Sequence, residues 1–309
     1  MLFCVYIDGL LEELKKTDVG CYMGSVFAGA FAYADDLTLL APTVHALKII
    51  ASVCEQYARD FHVLFNSNKK SKLIVFKAGT RAPPDPGIKI NGNTVKMVNS
   101  VTHLGHVIYD NIYNFEASKC IRDFNRLSNL FFADFKDSSS EMRNYLFFRY
   151  CTNFYGSQIL PLFDNCIQDL YRAWRVCVRR VWRLPWTTHS IMLPHIAKVM
   201  TPQLWFAKRC VKFIMMANNA NNTVVNTIVN MAKVGSHSIM GGNIRFLTYK
   251  YDMDIRNIIR EWKNLCEHQN ETIRLSEQVR ELCNNRDRGY EYPLSREESI
   301  DIIKFLCTD

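Results

Sequence analysis

The feature that most limits what this chain can fold into is a change of hydrophobic period near residues 112–116. Before it, short apolar stretches alternate with period two between clusters of turn residues. After it, apolar residues recur every three or four positions nearly to the end. A chain patterned in this way folds as α+β, with strands and a few helices in its first third and helices thereafter. Its 309 residues suit about two domains and a substantial core. Hydrophobic residues at 48% and charged residues at 22% exclude a disordered or low-complexity chain. The longest uncharged apolar run, Met23 to Ala34, is too short to cross a bilayer. Asp8 interrupts the N-terminus and no cationic region precedes it, so no secretory signal peptide is expected. Eleven cysteines, an odd number without a Cys-x-x-Cys pair, fit a reducing, intracellular compartment better than a disulfide framework.

In the first third, Leu2, Val5, Leu10, Leu11 and Leu14 lie near helical spacing and end at Lys15-Lys16. Val26 to Ala34 alternates, with Phe27, Gly29, Phe31 and Tyr33 on one parity and five small or branched residues on the other. This predicts one strand with a bulky and a small face. Asp35-Asp36 and the short strand Leu37–Ala41 follow, which makes a β-hairpin with two acidic residues at its tip. Thr43 is placed to cap an amphipathic helix carrying Val44, Leu47, Ala51, Cys54, Ala58 and Phe61. The polar cluster 66–72 leads to a strand at Leu73–Phe76, and residues 81–87 read as a loop. A second hairpin turns at Asn91-Gly92, and Val101 to Tyr109 is a further strand. Helices are expected at 117–134, 139–156, 164–183, 203–217, 222–233, 252–268, 271–284 and 296–307. Pro161, Pro185, Pro194 and Pro202 act as breakers.

The residues best placed to carry chemistry are Asp35 and Asp36. Adjacent carboxylates on a tight turn repel each other, and apolar flanking strands are expected to limit the water that screens them. A divalent cation with oxygen ligands resolves the repulsion, and Mg²⁺ commonly takes one or two carboxylates together with substrate phosphates. A solvated Asp-Asp turn is the structural alternative.

The net charge of +8 is concentrated. Residues 119–212 hold 15 Lys+Arg against 6 Asp+Glu, whereas residues 1–118 balance at 11 each and residues 213–309 hold 12 against 13. A basic block of this kind points to a polyanionic partner. On helix 164–183, Arg172, Arg175, Arg179 and Arg183 fall within an arc of about 80°. Leu170, Trp174, Cys177, Val181 and Leu184 lie opposite, so the apolar stripe should pack inward and the arginine stripe face a groove or solvent. Trp186 and Trp205 read as core residues, and His189 as structural.

Phe31-Ala-Tyr-Ala-Asp-Asp36 resembles the catalytic hairpin of reverse transcriptases of LINE (non-LTR, jockey-like) retrotransposons. The resemblance continues in order along the chain. Leu2–Leu10 looks like the helix after the family's template-gripping block, and Phe65-Asn66…Lys72 followed by Leu73–Phe76 is similar to its lysine-bearing block. His103-Leu104-Gly105 resembles the aromatic-Leu-Gly primer grip, with His at the aromatic position. Trp174-Arg…Trp182-Arg-Leu-Pro-Trp186 and Gly241–Tyr251 resemble segments beyond the polymerase core. The resemblance covers residues 1–250.

It implies a partial polymerase palm at 1–115, a basic helical thumb and extension at 116–212, and a helical C-terminal region at 213–309. It further implies Asp35 and Asp36 as catalytic metal ligands, with two Mg²⁺ in an intact relative. Lys70 would act at the incoming deoxynucleoside triphosphate, although Lys69 and Lys72 compete for the alignment and a solvated turn lysine is the alternative. Tyr33, Ala34, His103, Leu104, Gly105 and the four arginines would contact an RNA template and DNA primer, in the nucleus or cytoplasm. The family's third catalytic Asp has no counterpart here, since Asp8 reads as a surface helix residue. The chain is therefore expected to be a truncated copy, inactive as a polymerase by itself. A non-enzymatic RNA- or DNA-binding remnant is the alternative.

Overall fold

The computed structural model describes residues 2–63, 65, 71–76, 84–111, 117–235 and 237–251. The expected lysine-bearing turn around Lys69 and Lys70, and the helices expected beyond residue 251, lie outside them. The architecture is α+β. The chain divides into two compact units, Met1–Glu116 with Ala217–Met231, and Ala117–Met216 with Ala232–Asp309.

Among its described residues the first unit contains α1 (Leu2–Lys16), α2 (Val44–Asp60) and ten short strands. These are β1 (Tyr22–Met23), β2 (Val26–Phe27), β3 (Ala30–Tyr33), β4 (Asp36–Leu39), β5 (Lys72–Leu73), β6 (Lys89–Ile90), β7 (Asn93–Thr94), β8 (Lys96–Met97), β9 (Ser100–His103) and β10 (His106–Tyr109). Antiparallel pairs β1–β2, β3–β4, β6–β7 and β9–β10 are local hairpins, and β5–β8 is a parallel pair. Thr43 caps α2 as expected, its hydroxyl accepting from the Ala46 amide at 3.1 Å. Leu10 and Leu14 of α1 bury against Ile50, Cys54 and Tyr57 of α2, and Ala30, Leu37 and Leu39 pack on that cluster. Gly9 permits the close approach of α1 and α2, because a Cβ there would lie 2.8 Å from the Tyr57 hydroxyl oxygen. That hydroxyl donates to the Tyr6 carbonyl.

Several expected strands differ, and the one expected at Leu73–Phe76 is confined to Lys72–Leu73. Val26–Ala34 is divided between β2 and β3. At the break Gly29 lies so close to the Phe27 ring that a Cβ would meet it at 2.5 Å. The Gly29 carbonyl accepts from Leu40, and Ala28 donates to Cys21, so the backbone stays paired across the interruption. Val101–Tyr109 is a hairpin rather than a single strand. Leu104 and Gly105 form its turn with φ of +48° and +80°. Asn91 and Gly92, at +50° and +73°, make the turn that the sequence predicts.

The second unit is built on α3 (Ala117–Asp134), α4 (Ser140–Tyr150), α5 (Asn165–Val181), α6 (Leu193–Ala197), α7 (Pro202–Asn218) and α9 (Ile239–Tyr251); α8 (Thr223–Lys233) precedes α9 in the chain. α4 is shorter than the expected 139–156, and α6 forms where Pro194 was read as a breaker. Proline in a helix's first turn removes an amide that has no intrahelical partner there. Phe124, Phe147, Leu170, Trp174, Val178, Val181, Phe206 and Ile214 form one core, each at most 1% exposed. Phe147 meets Phe124 and Phe131 edge-on, with ring centroids 6.0 and 5.6 Å apart. Buried Asn243 of α9 accepts from the Leu162 amide at 2.8 Å and donates to the Leu160 carbonyl at 2.9 Å, fastening the loop before α5.

Among the described residues no helix is long and apolar enough to cross a membrane, and the seven cysteines with placed side chains are free thiols. Burial pushes Cys54, Cys151 and Cys210 up to about 12. Their neutral form is favoured by the folded state, so this contribution is complete below the ordinary thiol value and is lost as pH rises toward 12. The urea midpoint should therefore fall progressively above about pH 9, and a flat profile would contradict the burial. Asn243→Leu should strand one amide and one carbonyl and lower unfolding free energy by about 2–4 kcal/mol. An unchanged denaturation midpoint would show that the loop does not depend on it.

Candidate acidic hairpin and nucleic-acid interface

The β3–β4 hairpin pairs Ala30 with Leu39, Phe31 with Thr38, Ala32 with Leu37 and Tyr33 with Asp36. Ala34 and Asp35 are the two turn residues, so Asp36 is the first residue of β4 rather than part of the tip. Directly paired residues share a face and successive ones alternate. Tyr33, Phe31 and Asp36 therefore occupy the outer face, and Ala30, Leu37 and Leu39 the inner face that packs on α1 and α2. Ala34 has φ +52°, in the left-handed region that costs a non-glycine residue about 1 kcal/mol or more.

The hairpin from Phe31 to Asp36 is exposed, with Tyr33 at 63%. This corrects the expectation that apolar strands shield the carboxylates. Phe31 and Tyr33 face water because Ala30, with Leu37 and Leu39 on the same face, is what packs on the helices. Among the described residues no group of three or more His, Cys, Asp or Glu side chains is placed to hold a metal. Asp8 is exposed on α1, as expected of a surface helix residue. Asp35 and Asp36 are hard oxygen donors of the kind Mg²⁺ takes together with phosphates. A pair of solvated neighbours does not fit a two-ion centre, which needs carboxylates converging on ions about 4 Å apart.

The other motif residues fall on turns and edges. Lys70 lies outside the described residues. Lys72 is exposed on β5, in register with the exposed Lys96 of β8. His103 and His106 are paired at the base of the Leu104-Gly105 turn, and Leu104 is 40% exposed. Both motif turns thus place a non-glycine residue, Ala34 or Leu104, in the left-handed region.

On α5 the apolar stripe packs inward as expected: Leu170, Trp174, Cys177 and Val181 are buried, and Leu184 packs on the core. The arginine stripe is less uniform. Arg172 is exposed and ion-paired with Asp169. Arg175 extends over the Tyr171 ring, 4.8 Å from its centroid, and donates to the Ser190 hydroxyl at 3.2 Å. Arg179 donates twice to the Thr188 carbonyl, at 3.2 and 2.7 Å, and once to Ser190 at 3.2 Å. Burial and then the Arg175 charge hold Arg179 below its ordinary value. Arg183 does not continue the stripe, because α5 ends at Val181. Arg183 itself is left-handed at +51° and donates to the Lys136 carbonyl at 3.4 Å.

His189 is structural, its Nδ1 accepting from the Ile191 amide at 3.4 Å. Trp205 is half-buried against the core, but Trp186 is 87% exposed, contrary to its expected core position. Residues 170–251 contain 12 Lys+Arg and no Asp or Glu, a run that charge counted over 119–212 obscures. No model of a known protein family matches the chain, and no curated protein matches it.

Ala34→Gly should relieve the left-handed strain and raise unfolding free energy by about 1 kcal/mol, read as a higher urea midpoint. A lower midpoint would show that the turn is not strained at Ala34.

Proposed function

We propose that the chain carries part of a LINE-type RNA-directed DNA polymerase: palm elements around the acidic hairpin followed by a basic helical thumb. The observation that carries this reading is the exposed Tyr33-Ala34-Asp35-Asp36 hairpin, held with a non-glycine residue in a strained conformation at its turn. Strain of this kind persists where surrounding structure over-determines it, and it gathers at functional sites. An outward Tyr33 beside Asp36 gives a nucleic-acid end an aromatic surface next to a carboxylate. In the helical unit, arginines whose hydrogen bonds go to carbonyls and hydroxyls keep their charge uncompensated, which suits a phosphate backbone.

The described carboxylates do not complete a two-ion centre, so no polymerisation step is assigned to this chain by itself. Its own residues bind and orient a template–primer duplex. A non-enzymatic nucleic-acid-binding protein is the second reading, favoured by the acid-free run at 170–251 together with the incomplete donor set.

With an RNA template, a DNA primer, deoxynucleoside triphosphates and Mg²⁺, the purified chain should bind but not extend. Extension abolished by Asp35→Ala would overturn this. Duplex affinity should fall steeply with salt, with a logarithmic slope near −0.9 for each phosphate contact. A flat dependence would remove the basic face from the account. On the polymerase reading Mg²⁺ strengthens duplex binding and Asp35→Asn abolishes the gain, whereas the second reading predicts no Mg²⁺ effect in either protein.

A further inference from the structure

Trp186 is 87% exposed, although burying an indole is among the largest single contributions a side chain makes to folding. Its turn is nonetheless built firmly. The Thr188 amide donates to the Pro185 carbonyl at 3.1 Å, closing a four-residue turn with Trp186 and Thr187 at its centre. The Thr188 carbonyl takes both Arg179 bonds, so the turn is tied to the last turn of α5. Arg175 and Arg179 meet at one hydroxyl, that of Ser190, each at 3.2 Å. Two guanidinium groups sharing a neutral acceptor repel each other, and a bound anion would relieve that repulsion. No acidic residue occurs between Asp169 and Asp252 in the sequence. An exposed indole on a turn whose backbone is tied to an arginine pair offers what an unpaired nucleotide needs: a ring for the base and cations for the phosphate.

We propose that Trp186 and the Arg175–Arg179 pair form a subsite for one nucleotide of single-stranded RNA, with the base stacked on Trp186 and the phosphate at the arginines. The assignment rests on the polymerase reading and deepens it, naming where unpaired template is held. Arg179 also positions the turn, so Arg175 is the cleaner test of the phosphate contact.

The full chain is titrated into a fluorescein-labelled oligouridine of about 12 nucleotides, and separately into an RNA–DNA duplex. Binding is read by anisotropy over a salt series. Trp186→Ala should weaken oligouridine binding about tenfold or more and leave the salt slope unchanged, while Trp186→Phe recovers most of the loss. Arg175→Gln should reduce the slope by about 0.7, the value of one single-strand phosphate. Duplex affinity should be unaffected by Trp186→Ala, because duplex bases are already stacked. Oligouridine affinity unchanged in Trp186→Ala, or equal losses on oligouridine and duplex, would overturn the subsite. If the wild-type chain binds duplex in a salt-dependent way while Trp186→Ala changes nothing, only the subsite fails. If the wild type binds neither nucleic acid, the polymerase reading falls with it.

Discussion

Burial of one face of α5 decides where that helix's arginines go. Leu170, Trp174, Cys177, Val178 and Val181 turn into the aromatic core around Phe147. At 3.6 residues per turn, Arg172, Arg175 and Arg179 are then forced to the other side. A helix of this length cannot hide three guanidinium groups. Two of them bond to the Thr188–Ser190 segment and give it a fixed shape. The end of the helix matters equally, since the left-handed Arg183 redirects the chain into the turn that carries Trp186. Core packing therefore sets the geometry of the candidate interface, even though no interface residue contributes to the core.

The β3–β4 hairpin follows the same logic at smaller scale. Apolar inward residues, Ala30, Leu37 and Leu39, let it lie on α1 and α2, and the aromatic and acidic residues of its outer face are left in water. Solvent screening makes the Asp35–Asp36 repulsion modest. The hairpin is thus stable without an ion, and its carboxylates remain available to one that arrives with phosphate ligands. Completing a two-ion centre is a matter of further donors rather than of the hairpin's own shape.

Much of the fold was legible from local chemistry. Thr43 caps α2, Asn91-Gly92 turns a hairpin, and α3 spans 117–134 as its periodicity requires. In each case a few adjacent residues contain the whole cause. The differences arise where the cause is distant or unsignalled. The break between β2 and β3 reflects the position of the Phe27 ring over Gly29. The Leu104-Gly105 turn carries a leucine where turn rules look for Asn or Gly, and α5 ends without the glycine that usually marks a C-terminus. Trp186 looked like core because aromatic residues usually are. Its exposure follows from a turn closed by Thr188 and pinned by Arg179, which no periodicity records. The carboxylate motif was visible at once, whereas its openness to solvent required knowing which strand face packs on the helices.

Hydrogen exchange of the full chain, with and without an RNA–DNA template–primer, tests the central claim most directly. The account predicts slowed exchange on binding at the Tyr33–Asp36 turn and in the Pro185–Ser190 segment, lost again at high salt. Bound duplex that leaves both segments unprotected would contradict it.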